Sequence, residues 1–253
     1  MGDANTAVLA EHSFLKHYCS ITRKPWGWKV TWEEGDDWPK FNFLQFTSST
    51  LSGSQFDEII AIEMQTWPKG KAFSVRANQD SISLISRNEW TEEGKGILSY
   101  RIDPIETPES CLKAPQDLEL HEVGSESARE SWIEGNIEGR NWPRADLIYA
   151  PLKKVASSNM RLWSLKHTVG DIRATLATER FLEGENLTFL SVRPNFRRNG
   201  YMRIIFLLMR QALQGPWFVQ VSEGDAVHVF LKSLPGATLI NTERRFILRK
   251  DVI

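Results

Sequence analysis

The sequence predicts an α/β (α+β) fold on a mixed, mostly antiparallel sheet, and three observations carry that prediction. Alternating strand-like runs joined by tight turns dominate residues 118–123 and 161–181. One amphipathic stretch, residues 200–213, crosses between two apolar runs of the kind buried strands use. The chain also repeats itself. At an offset of 145 residues, Phe73 falls on Phe218, Ile82 and Leu84 on Val227 and Val229, Ile59 and Ile60 on Ile204 and Ile205, and Gly70 on Gly215, without a gap.

A Pro-rich stretch over residues 104–116, with Pro104, Pro108 and Pro115 among acidic and small residues, opposes both helix and central strand. It reads as an exposed linker that divides the chain into residues 1–103 and 117–253. In the second part, residues 118–123 alternate as a strand. Residues 125–140 and 145–157 are helical, with Ser125 as N-cap and acidic residues following it. Residues 161–167 and 172–181 are strands that turn at Gly170 and Asp171, and residues 187–192 (LTFLSV) form a short buried strand. Residues 200–213 place Tyr201, Ile204, Ile205, Leu208, Met209 and Ala212 on one helical face. Residues 217–221 form a strand, 225–234 a short helix, and 238–248 a terminal hairpin or pair of strands.

Composition excludes several classes. The 253 residues are 41% hydrophobic and 25% charged, enough for a real core and unlike a disordered chain. Lys plus Arg number 31 against 32 Asp plus Glu, so no global charge argues for nucleic acid and any anion site is local. Cys19 and Cys111 form no metal spacing and read as two unpaired intracellular thiols. No signal peptide is apparent, although Gly2 with Thr6 formally meets a myristoylation pattern, and the longest apolar run is far short of a membrane helix. A soluble cytoplasmic protein without a metal is the expectation. The cluster Trp26, Trp28, Trp32 and Trp38 reads as core and inter-domain packing, with an aromatic wall for an acyl chain or acceptor as the alternative. Glu33, Glu34, Asp36 and Asp37 read as an exposed turn, or as a lure for a cationic amine.

Residues 187–213 carry the chemistry. A buried strand ends at Val192, a turn with Pro194 follows, then Arg197, Arg198, Asn199 and Gly200, and a helix begins. The first N–H groups of a helix lack intrahelical partners and point along its positive end. Glycine there admits a ligand close to the backbone, and Arg193, Arg197, Arg198 and Arg203 add local positive charge. Such a turn can cradle a pyrophosphate. The plainer alternative is a solvated basic turn before an ordinary amphipathic helix.

Residues 117–253 resemble the GNAT superfamily of acyl-CoA-dependent N-acyltransferases, in strand order and in the motif Arg/Gln-x-x-Gly-x-Gly/Ala, met here by Arg197, Arg198, Asn199, Gly200, Tyr201 and Met202 after Val192-Arg193-Pro194. The resemblance implies a GNAT-type sheet, amides of residues 198–202 on the pyrophosphate of coenzyme A, and Leu190, Ser191 and Val192 pairing with the pantetheine arm. It implies a splay between that strand and residues 217–221 to admit the arm. Met202 stands where the family prefers Gly or Ala. Phe230 occupies the position of the usual Tyr that protonates the departing thiolate, so that acid is missing, a loss of about 10²–10⁴-fold for one acid–base group. The family often places a carboxylate at the start of the fourth strand, where this chain has Asn186 beside Glu185; Glu179 and Glu183 lie upstream, and His167 and His228 are weaker candidates.

By the same offset residues 48–57 fall under 193–202, with Gln55 in place of Gly200 and no arginine in the turn. The first half therefore looks like a truncated, degenerate GNAT-like half-domain without a donor site. The resemblance implies direct acyl transfer, from acetyl-CoA first, to an amine on a small molecule or peptide, by a monomer or homodimer that needs neither nucleic acid nor membrane. The alternative is a weak or inactive CoA-binding regulatory module. Acceptor choice would lie with the first two helices and a loop near Asn241 and Arg245.

Overall fold

The N-terminal segment is helical before any strand begins. In the computed structural model, which describes residues 3–32, 41–47, 51–78, 81–85, 90–104, 117–140, 145–168 and 170–248, helix α1 (Asp3–Leu15) precedes the hairpin β1 (Ser20–Lys24) and β2 (Gly27–Thr31). There follow β3 (Phe43–Phe46), α2 (Gly53–Gln65), β4 (Ser74–Asn78), β5 (Trp90–Glu92) and β6 (Ile97–Ile102). The second half runs β7 (Leu118–Glu122), α3 (Glu126–Arg140), α4 (Ala145–Ser157), β8 (Arg161–His167), β9 (Ile172–Phe181) and β10 (Gly184–Val192). It ends with α5 (Tyr201–Ala212), β11 (Trp217–Ser222), α6 (Ala226–Ser233) and β12 (Ala237–Leu248). The Pro-rich stretch from residue 105 onward, Cys111, Trp38 and the acidic residues 33–37 lie outside the described residues.

Strands from both halves form one sheet in the order β1-β2-β3-β4-β12-β6-β11-β10-β9-β8-β7, with β5 also on β12. Both halves contain the same unit, two parallel strands joined by a helix. Leu44 faces Val75 in the β3–β4 pair and Leu187 faces Val219 in the β10–β11 pair. All other neighbours are antiparallel. At the centre the halves exchange strands: β6 extends the second half beside β11, and β12 extends the first beside β4.

This exchange corrects the expectation of a terminal hairpin. Residues 237–248 form one strand with an irregularity between Leu239 and Asn241, paired with β6 and then β5 along one edge and with β4 on the other. Both edges are satisfied by the first half, so the segment has no need to fold back on itself. Asn241 and Arg245 accordingly lie in a central strand, not in a loop.

Strand alternation sends one set of side chains to each face. On one face α1, α3 and α4 cover Val30, Phe43, Leu162, Ala177 and Phe189. On the other, Ile205, Phe206 and Met209 of α5 cover Leu165, Leu176, Leu187 and Trp217, while Phe56 and Ile60 of α2 cover Leu44 and Val75. Trp26 stacks on Phe46, and Trp32 packs edge-on against Phe41, so two of the clustered tryptophans are core.

Beneath α1 the sheet buries charge. Arg76 Nη1 meets Glu11 Oε1 at 2.5 Å, with 2% and 4% of the two side chains exposed, and the guanidinium lies 3.6 Å over the Phe43 ring. Burial is the largest influence on the Glu11 carboxyl and would raise it, but the charge and hydrogen bond of Arg76, with His12 and Gln220, together hold the group below the usual range. Beside the pair, His12 Nε2 is 3.0 Å from Gln45 Oε1, and Gln45 Nε2 donates to Glu243 Oε1 at 2.7 Å. Burial and the Glu11 charge raise the Glu243 carboxyl.

Breaking this pair strands a buried charge, a loss of about 3–5 kcal/mol. Arg76→Met is expected to lower the thermal midpoint by about 10 °C, since about 1 kcal/mol moves a domain of this size by about 2–4 °C; calorimetry checks it. Burial also lowers His12 from the ordinary 6.5 to about 4. The unfolded chain thus takes up a proton that the folded one refuses, and stability is lost as pH falls from 6.5 to about 4. In urea titrations across that window His12→Gln is expected to show a shallower loss, by up to about 1.4 kcal/mol per pH unit.

Candidate active site

The parallel ladder between β10 and β11 is short. Glu185, Asn186 and Leu187 pair with Trp217, Phe218 and Val219, and there the ladder ends. Beyond it β10 bulges: its register on β9 shifts between Thr188 and Ser191, and Phe189 has φ +51°. Asn136 of α3 pins the bulge, donating from Nδ2 to Phe189 O at 2.5 Å and to Thr175 Oγ1 at 3.2 Å. The non-glycine residues with positive φ among the described residues are Phe189 and Arg198, and both border this region. Backbone strain of that kind persists only where surrounding contacts enforce it.

A cavity of about 450 Å³ opens where the two strands part. Leu187, Leu190, Val219 and Val221 of the splayed strands line it, with Phe14, Leu15 and Tyr18 from the N-terminal segment. Glu11, Arg76, Arg140 and Arg245 add charge to its wall. Burial lowers the guanidiniums of Arg140 and Arg245 to about 10, values at which both remain cationic near neutrality.

At the end of β10 the chain makes a short turn and enters α5. Gly200 is the N-cap, with φ +76°, and gives the helix no side-chain cap. A Cβ there would meet nothing within 4 Å, so the conformation asks for glycine while the space in front of it is open. The corresponding helix of the first half is closed: Ser52 Oγ accepts from Gln55 N, and Gln55 Oε1 accepts from Ser52 N. That capping box consumes amides that α5 leaves available.

The arginines divide into two kinds. Arg193 is paired with Glu138 at 3.0 Å, and Arg197 donates from Nη2 to Gly139 O at 2.5 Å and from Nε to Val192 O at 3.2 Å. Arg197 is therefore a brace between the turn, β10 and the end of α3. Close packing reinforces it, since a Cβ on Gly139 would lie 2.1 Å from Ser191 Oγ. Arg198 and Arg203 are exposed and enter no ion pair among the described residues. Asn199 is exposed too, while Tyr201 and Met202 turn partly into the core beneath α5.

The structure gathers Leu190, Ser191, Val192 and residues 197–202 around one turn, but it directs the candidate carboxylates elsewhere. Glu179 is 7% exposed and bound to Lys16 at 2.9 Å and His17 at 3.3 Å. Glu185 lies 3.4 Å from Arg161, on the α5 face with Leu187. Neither is among the residues lining the cavity, whereas Asn186 is. Glu183 accepts from Thr6 at 2.7 Å, His167 is 3.0 Å from Asp117, and His228 Nδ1 accepts from Gly224 N at 2.8 Å. Phe230 packs edge-on against Phe206, centroids 5.2 Å apart. Among the cavity residues that sequence reasoning missed are Glu11, Phe14, Tyr18, Arg76 and Arg140. No motif marks them, because they reach the site only by tertiary packing.

Among the described residues no group of His, Cys, Asp and Glu is placed to hold a metal ion, and no helix is long and apolar enough to cross a membrane. No protein-family model matches the chain, and no curated protein matches it in sequence. The likeness lies in three dimensions. A functionally unknown conserved protein from Staphylococcus epidermidis is similar with a TM-score of 0.67 at 9% identity, covering 90% of this chain and 92% of that one. A GCN5-related N-acetyltransferase from Kribbella flavida gives 0.64 at 12%, covering 98% and 96%. A tandem GNAT protein from the clavulanic acid biosynthesis pathway gives 0.50 at 8%, covering 77% and 68%. With its mixed sheet, flanking helices and parted parallel strands, the chain has the fold of the GCN5-related N-acetyltransferases.

Proposed function

We propose that this protein is an acyl-CoA-dependent N-acyltransferase, using acetyl-CoA first, that transfers the acyl group to an amine by direct attack. The observation that carries this reading is the parting of β10 and β11 onto a cavity, with the uncapped start of α5 beside it. In this reading amides of residues 198–202 hold the pyrophosphate of coenzyme A, helped by the charges of Arg198 and Arg203. The pantetheine arm lies along Leu190, Ser191 and Val192, whose edge β11 has vacated, and brings the thioester to the cavity.

Attack of the neutral amine nitrogen on the thioester carbonyl forms the C–N bond and breaks the C–S bond, the nitrogen giving up one proton to water and the sulfur leaving as the thiolate of coenzyme A. A relay through cysteine is disfavoured, because burial pushes the Cys19 thiol up to about 12 and leaves it a poor nucleophile. Phe230 offers no proton to the departing sulfur. A thiol with pKa near ~8.5 can leave as thiolate near neutrality, so that absence slows the reaction without forbidding it. In the same reading residues 117–253 bind the donor across the 104–116 linker from a first half, residues 1–103, whose capped α2 binds none.

Phe230 also favours a second reading, a CoA-binding module that does no chemistry. A thiol-release assay with acetyl-CoA and a panel of amines separates the two, turnover with any amine eliminating the second. Gly200→Glu places a carboxylate and a strained backbone at the anion site. We expect it to weaken coenzyme A binding by about a hundredfold in calorimetry while circular dichroism stays unchanged; undiminished affinity would overturn the donor site.

A further inference from the structure

Arg173 of β9 carries a charge that its surroundings leave unused. Its carbonyl accepts from Arg193 N at 3.0 Å, so it stands beside the turn that leads from β10 to α5. The guanidinium lies 3.7 Å over the ring of Phe196. That ring in turn meets Tyr201, the first residue of α5, edge-on with centroids 6.1 Å apart. Nε of Arg173 is buried, whereas neither terminal nitrogen is, and the side chain makes no hydrogen bond or ion pair among the described residues. Covering Phe196 explains the stem and plane of Arg173, and an uncharged side chain of that length would cover it as well. It does not explain the charge.

The cations around this turn are not alike. Glu138 neutralises Arg193, and Arg197 is committed to carbonyl groups, but among the described residues Arg173, Arg198 and Arg203 have no acid paired with them. Arg198 and Arg203 flank the open start of α5, where the diphosphate lies in the acyl-transfer reading. Arg173 stands off that start, on β9, with the Phe196 ring touching both it and Tyr201. A guanidinium stacked by its face holds its N–H donors in one plane at the edge, the geometry that grips two oxygens of a phosphate. Coenzyme A offers such a group. Besides its diphosphate it carries a phosphate monoester on the ribose, with about 1.5–2 negative charges near neutrality.

We propose that Arg173 binds the ribose 3′-phosphate of the donor and so makes this protein distinguish coenzyme A from dephospho-coenzyme A. This rests on the acyl-transfer reading and deepens it, naming a specificity residue for the donor. Arg173 touches neither thioester nor amine and takes no part in the chemical step. Phe196 positions it: with the ring beneath, the guanidinium needs little further ordering to meet the phosphate, so less freedom is lost on binding. Because the terminal nitrogens are open to solvent, the attraction is screened by salt.

The test titrates coenzyme A and dephospho-coenzyme A into wild type and Arg173→Met by calorimetry, at low and at high salt. We expect wild type to bind coenzyme A about tenfold more tightly than dephospho-coenzyme A, and high salt to shrink that preference. Arg173→Met is expected to weaken coenzyme A about tenfold and to leave dephospho-coenzyme A unchanged. The same changes are expected of Arg173→Gln, which decides the matter should Arg173→Met fail to fold. Equal affinity of wild type for the two ligands overturns the proposal, and so does a preference that survives the loss of Arg173. An equal weakening of both ligands in the variants overturns it too, since Arg173 would then only support the turn. In each of these cases coenzyme A still binds and the acyl-transfer reading stands. Failure of both ligands to bind wild type defeats that reading and the proposal together.

Discussion

A guanidinium buried in the middle of a sheet must find a carboxylate, and much of this molecule follows from where Arg76 finds one. The strands around it offer Arg245 and Gln45 as neighbours in register, neither of which can balance its charge. Glu11 of α1 does so, and the need to deliver it clamps that helix across β9, β10, β11 and β12. With the helix held there, Phe14, Leu15 and Tyr18 become the roof of the space between the parted strands. An apolar pair of similar size would hold the helix as well or better, so the ion pair is weak as a stabiliser. What it supplies is position, and it charges the wall of the cavity in doing so.

The exchange of β6 and β12 makes that arrangement possible. If each half kept its own last strand, Arg76 and the β10–β11 splay would belong to separate sheets. Because β12 and β6 lie between β4 and β11, both halves share one backbone ladder and contribute to one cavity. The first half thus serves the site although the start of its own helix α2 is closed by the Ser52–Gln55 capping box. The second half keeps the corresponding start open by placing Gly200 there and bracing the turn with Arg197.

Local pattern made most of the second half legible. The limits of α4, β8 and β9 agree with the alternation and helical period of the sequence, and Ser125 caps α3, its hydroxyl accepting from Ala128 N. The turn from Val192 to Met202 was legible for the same reason, being contiguous: strand, turn, glycine and helix follow one another along the chain. The carboxylates were not. Glu179 and Glu185 sit near the strand ends where a base would be sought, but alternation and neighbouring cations turn them to Lys16 and Arg161. The terminal strand was misread because its apolar and polar rhythm, with Asn241 and Glu243 buried, depends on partners more than 130 residues away in the first half.

By itself, then, the amino-acid order determined the secondary elements of the second half as far as α6, the repeat of its helix and following strand in the first, and the turn at Gly200, since each is a matter of neighbours within a few residues. Tertiary structure alone decided that the halves trade strands, that α1 covers the parted pair, and that Tyr18 and Glu11 come to line the cavity. The physical reason is that pairing between distant strands and compensation of a buried charge are long-range conditions. No local spacing encodes which of many strands or carboxylates will meet them.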